Sequence, residues 1–120
     1  MFIKVRRGDV LKRSGKDVHM NVIIEQKNDV VTAKLQGEID HHTAAGMRQA
    51  IDAVIERGSP SLLVLDFKAV TFTDSSGLAL ILGRYKLMKA IGGNVELCEL
   101  SPSVRKIINL GGLERLVTIA

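Results

Sequence analysis

The feature that most constrains the fold is SLLVLDF at residues 61–67, a continuous apolar run with a polar end. A short run without alternation is typical of a strand that is buried on both faces, as in a parallel sheet. Helical patterns stand on both sides of the run, and parallel strands need such crossovers because a tight turn cannot join them. The run therefore predicts an α/β fold with parallel strands.

The rest of the chain extends this alternation. NVIIEQ and VVTAKLQG predict two antiparallel strands around a turn at Lys27-Asn28. Three helices are predicted, one from the DHHT segment to the stop at GSP, one over about residues 76–90, and one opened by Ser101-Pro102. Further strands are predicted at VELCEL and LVTIA. The predicted order is β-β-α-β-α-β-α-β with right-handed crossovers.

Residues 1–19 differ from the remainder in charge. They carry six basic and two acidic side chains, whereas the other 11 basic and 11 acidic residues of the chain cancel. We expect a basic leader over 1–19, flexible or left by an expression vector or an alternative start, and one domain over 20–120. A short hairpin of FIKV and DVL across RRG is an alternative. Because the body is near neutral, no nucleic-acid partner is expected.

Composition excludes several other classes. The single cysteine, Cys98, permits neither an internal disulfide nor a cysteine metal cluster, and we expect it to be a small buried apolar residue. No apolar stretch approaches the roughly 18 residues that a membrane span needs, and no secretory signal is apparent. A cytoplasmic protein without a membrane partner is expected.

The segment TFTDSSGL, residues 71–78, raises three possibilities: a helix cap, a nucleophile and a phosphorylation site. Asp74 or a serine suits the cap, and the start of a helix favours anions. Gly77 would let a partner approach closely. The turn LALIL that follows is apolar all round, so it is either a protein-binding surface or covered by a neighbouring helix.

Catalytic and metal-binding interpretations are disfavoured. Ser75 lacks the GxSxG elbow, and Asp40 is too close in sequence to His41 to orient that ring in a triad. Consecutive helical residues rarely share a metal ion, so Asp40 or Thr43 is expected to cap the helix while His41 and His42 face solvent. No glycine-rich phosphate loop occurs, and no cofactor or metal is expected.

Four segments together carry a family resemblance: GEIDHHTA, VLDFKAVTFTDSSGL, ILGRYKLMKAIGG and SPSVRKIINLGGL. From about Asn21 onward the chain resembles STAS domains. Within them it is most similar to anti-sigma factor antagonists of spore-forming bacteria, and specifically to the antagonist of the anti-sigma factor that holds the forespore sigma factor. The resemblance implies a β-α superhelix with a small mixed sheet and helices mostly on one face.

The resemblance also implies a function without catalysis. Such proteins bind an anti-sigma factor that is a serine kinase, and binding releases a sigma factor. The kinase phosphorylates a serine at the DSSG helix start, which ends binding, and a serine phosphatase restores the active form. Matched onto this chain, Ser75 is the phosphoacceptor, and the implied partner-binding residues are Asp40, Asp74, Ser76, Gly77 and Leu78.

Some features depart from the resemblance. Ala79 stands where the family commonly has glycine, residues 1–19 have no counterpart, and few residues follow the last predicted strand, where close relatives run on into a helix. The alternative function is a non-enzymatic STAS scaffold in a stress-sensing or transport-associated complex.

Overall fold

The computed structural model describes residues 14–120 of the chain. Within this range there are six strands, three helices and a short 3₁₀ helix. The strands are β1 Ser14–Val18, β2 Val22–Lys27, β3 Val30–Ile39, β4 Leu62–Thr73, β5 Asn94–Cys98 and β6 Thr118–Ile119. The helices are α1 His41–Gly58, α2 Ser75–Ala90, α3 Pro102–Leu110 and the 3₁₀ turn Leu113–Arg115.

The strands form one mixed sheet in the order β1-β2-β3-β4-β5-β6. The pairs β1–β2 and β2–β3 are antiparallel. The pairs β3–β4, β4–β5 and β5–β6 are parallel, and each is joined through a helix. The α/β fold class and the alternating order of elements are confirmed.

Local signals placed most elements where the sequence predicted them. The β2–β3 turn falls at Asn28 and Asp29, one residue later than expected, and Asn28 takes the left-handed φ of 55° that such a turn requires. Ser59 ends α1 in the same left-handed region. The predicted buried face of α1 is confirmed, and it consists of Met47, Ala50, Ile51, Val54 and Ile55.

The prediction that the run at residues 61–67 is buried on both faces is wrong. Leu63, Leu65 and Phe67 are buried, but the alternate side chains, such as Val64, are only half-buried. The core lies between one face of the sheet and the helices, so the other face of β4 lacks a covering layer within residues 14–120. Residues 62–65 are all apolar although only one face of the strand is fully buried.

The segment expected to be a leader contains a strand. Residues 14–18 form β1, which pairs with β2 along its whole length. Arg57 of α1 also reaches Asp17 of β1, with 3.2 Å between Nη2 and Oδ2. A flexible leader is therefore the wrong description of residues 14–18, and the hairpin considered for residues 1–13 lies outside the described part of the chain.

Two further predictions need correction near the C-terminus. Cys98 is only half-buried at the end of β5 instead of fully buried, and desolvation, with Asp66, Glu99 and Glu96 nearby, raises the pKa of its thiol. The last strand is only Thr118–Ile119, because the preceding residues turn through the 3₁₀ helix.

Candidate partner-binding site

The two serines of the DSSG segment have different surroundings at the start of α2. Asp74 is the N-cap, and its carboxylate accepts a hydrogen bond from the backbone N–H of Ser76 at 2.7 Å. Since the aspartate satisfies this free helix donor, neither serine hydroxyl is needed as a cap. Ser75 is exposed, and its hydroxyl makes no hydrogen bond with residues 14–120, whereas Ser76 is half-buried. The geometry presents Ser75 to solvent.

Gly77 has an intramolecular role. A Cβ at this position would overlap Oγ1 of Thr73, the last residue of β4, which is only 3% exposed. The missing side chain lets the first turn of α2 lie directly on Thr73. The close approach predicted at Gly77 is therefore made by a side chain of the same chain.

Asp40 caps α1 in a reciprocal arrangement with Thr43. The Thr43 N–H donates to Asp40 Oδ1 at 2.9 Å, and the Asp40 N–H donates to Thr43 Oγ1 at 3.0 Å. This is a capping box with threonine at its third position. The hydrogen bond from the Thr43 backbone lowers the pKa of Asp40 below its ordinary value. Both predicted caps, Asp40 and Thr43, take part.

The sheet brings the two caps together. Ile39 at the end of β3 is in register with Thr73 at the end of β4, and the Asp74 N–H donates to the Ile39 carbonyl at 3.3 Å. Neighbouring strands lie about 5 Å apart. Asp40 and Asp74 therefore stand side by side at the carboxyl edge of the sheet, where α1 and α2 both begin and both point their positive dipole ends.

The apolar turn after Ser76 is mostly covered. Leu80 and Ile81 are buried, and half-buried Leu78 packs against Gly111, where α3 ends. Only Ala79 of this turn is exposed. Of the two possibilities left open by the sequence, covering by a neighbouring element describes this turn better.

The histidines face solvent, as predicted: His41 and His42 are both exposed on the first turn of α1. Across residues 14–120, no three histidine, cysteine or acidic side chains are grouped so that they could hold a metal ion. Nor does any helix in the same range have the length and apolar character needed to cross a membrane.

Two features of this region escaped the sequence analysis. Phe72, two residues before Asp74, is 52% exposed. Arg84 of α2 is only 6% exposed and lies against Asp52 of α1, with 2.7 Å between Nε and Oδ1. The Arg84–Asp52 pair could have been suspected from the sequence, because a charged residue stands within an apolar helix face. The exposure of Phe72 depends on strand bulges, which have no clear sequence signature.

The family model of the STAS domain matches residues 21–120. The chain belongs to this family. An anti-sigma F factor antagonist of Paenibacillus polymyxa is 36% identical over 102 residues, which span 85% of this chain and 87% of that protein.

Two solved structures extend the comparison. The unphosphorylated anti-sigma factor antagonist SpoIIAA has a TM-score of 0.69 at 30% identity, and the match covers 89% of this chain and 87% of that one. The Bacillus cell fate determinant SpoIIAA in its phosphorylated form has a TM-score of 0.62 at 29% identity, covering 89% and 90%.

Proposed function

We propose that this protein is an anti-sigma factor antagonist, which binds an anti-sigma factor and thereby releases a sigma factor. The observation that carries the proposal is the exposed Ser75 hydroxyl at the capped start of α2, beside the Asp40 cap of α1, in a chain similar to named antagonists. The protein acts by binding and without catalysis, in the cytoplasm, where transcription takes place.

The contact surface in this proposal is the carboxyl edge of the sheet. Asp40, Asp74 and Ser75 form its centre, with the half-buried Ser76 and Leu78 at its margin. Gly77 contributes indirectly, because its contact with Thr73 fixes the first turn of α2. All of these residues lie on elements anchored in the sheet, so the surface needs little rearrangement before binding.

Phosphorylation of Ser75 by the anti-sigma factor, acting as a serine kinase, switches the protein off. A phosphate adds about −1.5 to −2 charges. At a helix start this charge is tolerated within the chain, but in an interface it must be desolvated beside the Asp74 carboxylate. A loss of roughly 3 kcal/mol weakens binding about 150-fold. A serine phosphatase reverses the switch.

One of the structural relatives supports a switch without refolding. SpoIIAA has been solved unphosphorylated and phosphorylated, and both forms match this chain with TM-scores of 0.69 and 0.62. That relative therefore keeps its fold in the two states. An exposed serine at a helix start suits the same behaviour here.

The test uses Ser75→Ala and Ser75→Asp with the anti-sigma factor of the same organism and ATP. The wild-type protein should gain about 80 Da on Ser75, Ser75→Ala should bind and stay unmodified, and Ser75→Asp should bind about 100-fold more weakly. Ser103→Asp is the matched control, because Ser103 is also an exposed serine in the first turn of a helix. It should bind like the wild type.

Different failures have different meanings. A stable complex without phosphorylation would favour a STAS scaffold. Wild-type affinity in Ser75→Asp would refute the proposed switch, and a protein that does not bind any anti-sigma factor of its organism would refute the antagonist function itself.

A further inference from the structure

Two bulges shape the second half of β4. Between the pairs Lys34↔Asp66 and Gln36↔Ala69, β3 advances two residues while β4 advances three. Between the next pairs, Gly37↔Val70 and Glu38↔Phe72, β3 advances one and β4 two. Each shift places one extra residue in β4, and bulges of this kind re-aim the side chains that follow.

The bulges decide which side chain of β4 faces the helices. The first one puts Val70 inside, at 7% exposure, although strict alternation from Phe67 would have put Ala69 there. Alternation from Val70 would next bury Phe72. The second bulge buries Thr73 instead, at 3%, and leaves Phe72 at 52%.

The neighbouring packing explains why an aromatic ring is not buried here. The inward position belongs to Thr73, whose Oγ1 fills the space left by Gly77. A ring at that position would force α2 away from the sheet. Phe72 is instead held on a paired strand, opposite the exposed Glu38, with much of its apolar surface in water.

Phe72 is close to the proposed contact surface. It precedes Ser75 by three residues, which is at most about 10 Å of extended chain. A standard interface covers about 800 Å² on each partner, which is wide enough for one partner to reach both Ser75 and Phe72. The residues that carry most binding energy cluster near the centre of such surfaces, and aromatic residues, phenylalanine included, are enriched in interface cores.

We propose that Phe72 is the apolar anchor of the anti-sigma factor interface. This inference rests on the function proposed above. The partner that fits is a protein surface with an apolar pocket for the ring. Basic side chains are expected at the border of the pocket, because Glu38 is in register with Phe72 and the two acidic caps, Asp40 and Asp74, follow at the ends of the same strands. The phosphoacceptor and the anchor thus serve separate purposes: the serine switches binding, and the ring supplies affinity.

The test is the affinity of Phe72→Ala for the anti-sigma factor, measured by titration calorimetry beside the wild type. We expect binding about 30-fold weaker, the scale of an interface hot spot. Phe72→Leu, which keeps an apolar side chain, should lose less than about 5-fold. Ile91→Ala is the matched control: Ile91 is 41% exposed at the far end of α2, about 24 Å away along the helix. It should bind like the wild type.

Phosphorylation kinetics and melting temperature separate anchoring from other roles. Because an anchor supplies binding and takes no part in the transfer of the phosphate, Phe72→Ala should raise KM for phosphorylation and leave kcat within about 2-fold. Its melting temperature should fall no further than that of Ile91→Ala.

Three outcomes would overturn the anchor. The first is wild-type affinity in Phe72→Ala while Ser75→Asp binds weakly, which leaves the proposed function standing. The second is a loss of affinity accompanied by a larger fall in melting temperature than in the control. The third is a wild-type protein that binds no anti-sigma factor, which removes both proposals.

Discussion

At the scale of single residues, the site depends on a contact between two small side chains. Gly77 and Thr73 lie so close that a methyl group on the glycine would overlap the threonine hydroxyl. That hydroxyl also hydrogen-bonds the Asp74 carbonyl at 3.1 Å. The buried threonine therefore positions the cap residue from below, and the glycine lets the helix start directly above it.

Gly77→Ala should destabilise the protein by about 2 kcal/mol, even though alanine favours helices, because the new methyl group overpacks a buried site. Adding Thr73→Ala removes the clashing oxygen and leaves the next atom, Cβ, 3.2 Å from the new methyl. The double variant should then recover at least about 1 kcal/mol relative to the sum of the single variants. Urea unfolding measures all four proteins, and strict additivity would show that the contact is unimportant.

The cap of α1 is sensitive to acid because it depends on the charged carboxylate of Asp40. The Asp40 cap has a lowered pKa, chiefly through its hydrogen bond from Thr43. Its stabilising effect is therefore complete above the ordinary carboxyl pKa of about 4 and is lost as the pH falls through the lower value of the folded state. Asp40→Asn keeps a good N-cap but cannot titrate. Its free energy of unfolding should fall less than that of the wild type between pH 5 and pH 3, and equal slopes would contradict this role of Asp40.

At the scale of elements, one ion pair joins the two helices whose starts form the site. Asp52 of α1 and Arg84 of α2 have side chains 26% and 7% exposed, and their nearest atoms are 2.7 Å apart. Arg84 Nε and Asp52 Oδ1 are not aligned as a hydrogen bond, so the contact is mainly electrostatic. Burial raises the pKa of Asp52, while the positive charge of Arg84 opposes that rise.

Removing one member of this pair should cost more than the pair contributes. Asp52→Ala leaves the buried guanidinium without its partner, and we expect a loss of about 2 kcal/mol, below the usual 3–5 because Asp52 remains partly hydrated. Glu56→Ala is the control, because Glu56 lies one turn further along α1 and its carboxylate is exposed. This substitution should change stability by less than about 0.5 kcal/mol. Thermal unfolding compares the two, and equal effects would mean that the pair does not hold the helices together.

The same elements show what a sequence can and cannot predict. The helices were predictable because their caps and stops are local: Asp40, Asp74 and Ser101 each accept a backbone hydrogen bond within three residues. The path of β4 was not, because its bulges depend on register with β3. Strand β1 was missed because its composition matched the basic segment before it. Its place is set by pairing with β2.

The DSSG motif identified the region of the site, but not which of its residues caps the helix and which is exposed. The sequence left open whether Asp74 or a serine caps α2, and Ser75 was chosen over Ser76 by resemblance alone. The fold supplies a physical difference, since Asp74 takes the cap and Ser75 alone is exposed. Gly77 was expected to admit a partner, and only the three-dimensional packing revealed its contact with Thr73.

At the scale of the whole molecule, the parallel part of the sheet collects the site at one edge. Asp40 and Asp74 are more than thirty residues apart in the sequence. They become neighbours because β3 and β4 are parallel and end at the same edge of the sheet. The core lies beneath this edge and does not involve the Ser75 hydroxyl. The edge can therefore change its charge while the core stays as it is.

This arrangement predicts that charge at Ser75 alters binding without altering the fold. In Ser75→Asp, backbone amide chemical shifts should change near the starts of α1 and α2 and remain unchanged in β1, β5 and β6, because screening limits a surface charge to about 8–10 Å. The far-ultraviolet circular dichroism should match the wild type, and the melting temperature should not fall, because a negative charge in the first turn favours the helix dipole. Shifts spread across the sheet, or a lower melting temperature, would mean that the proposed switch works by loosening the domain and not by changing its surface.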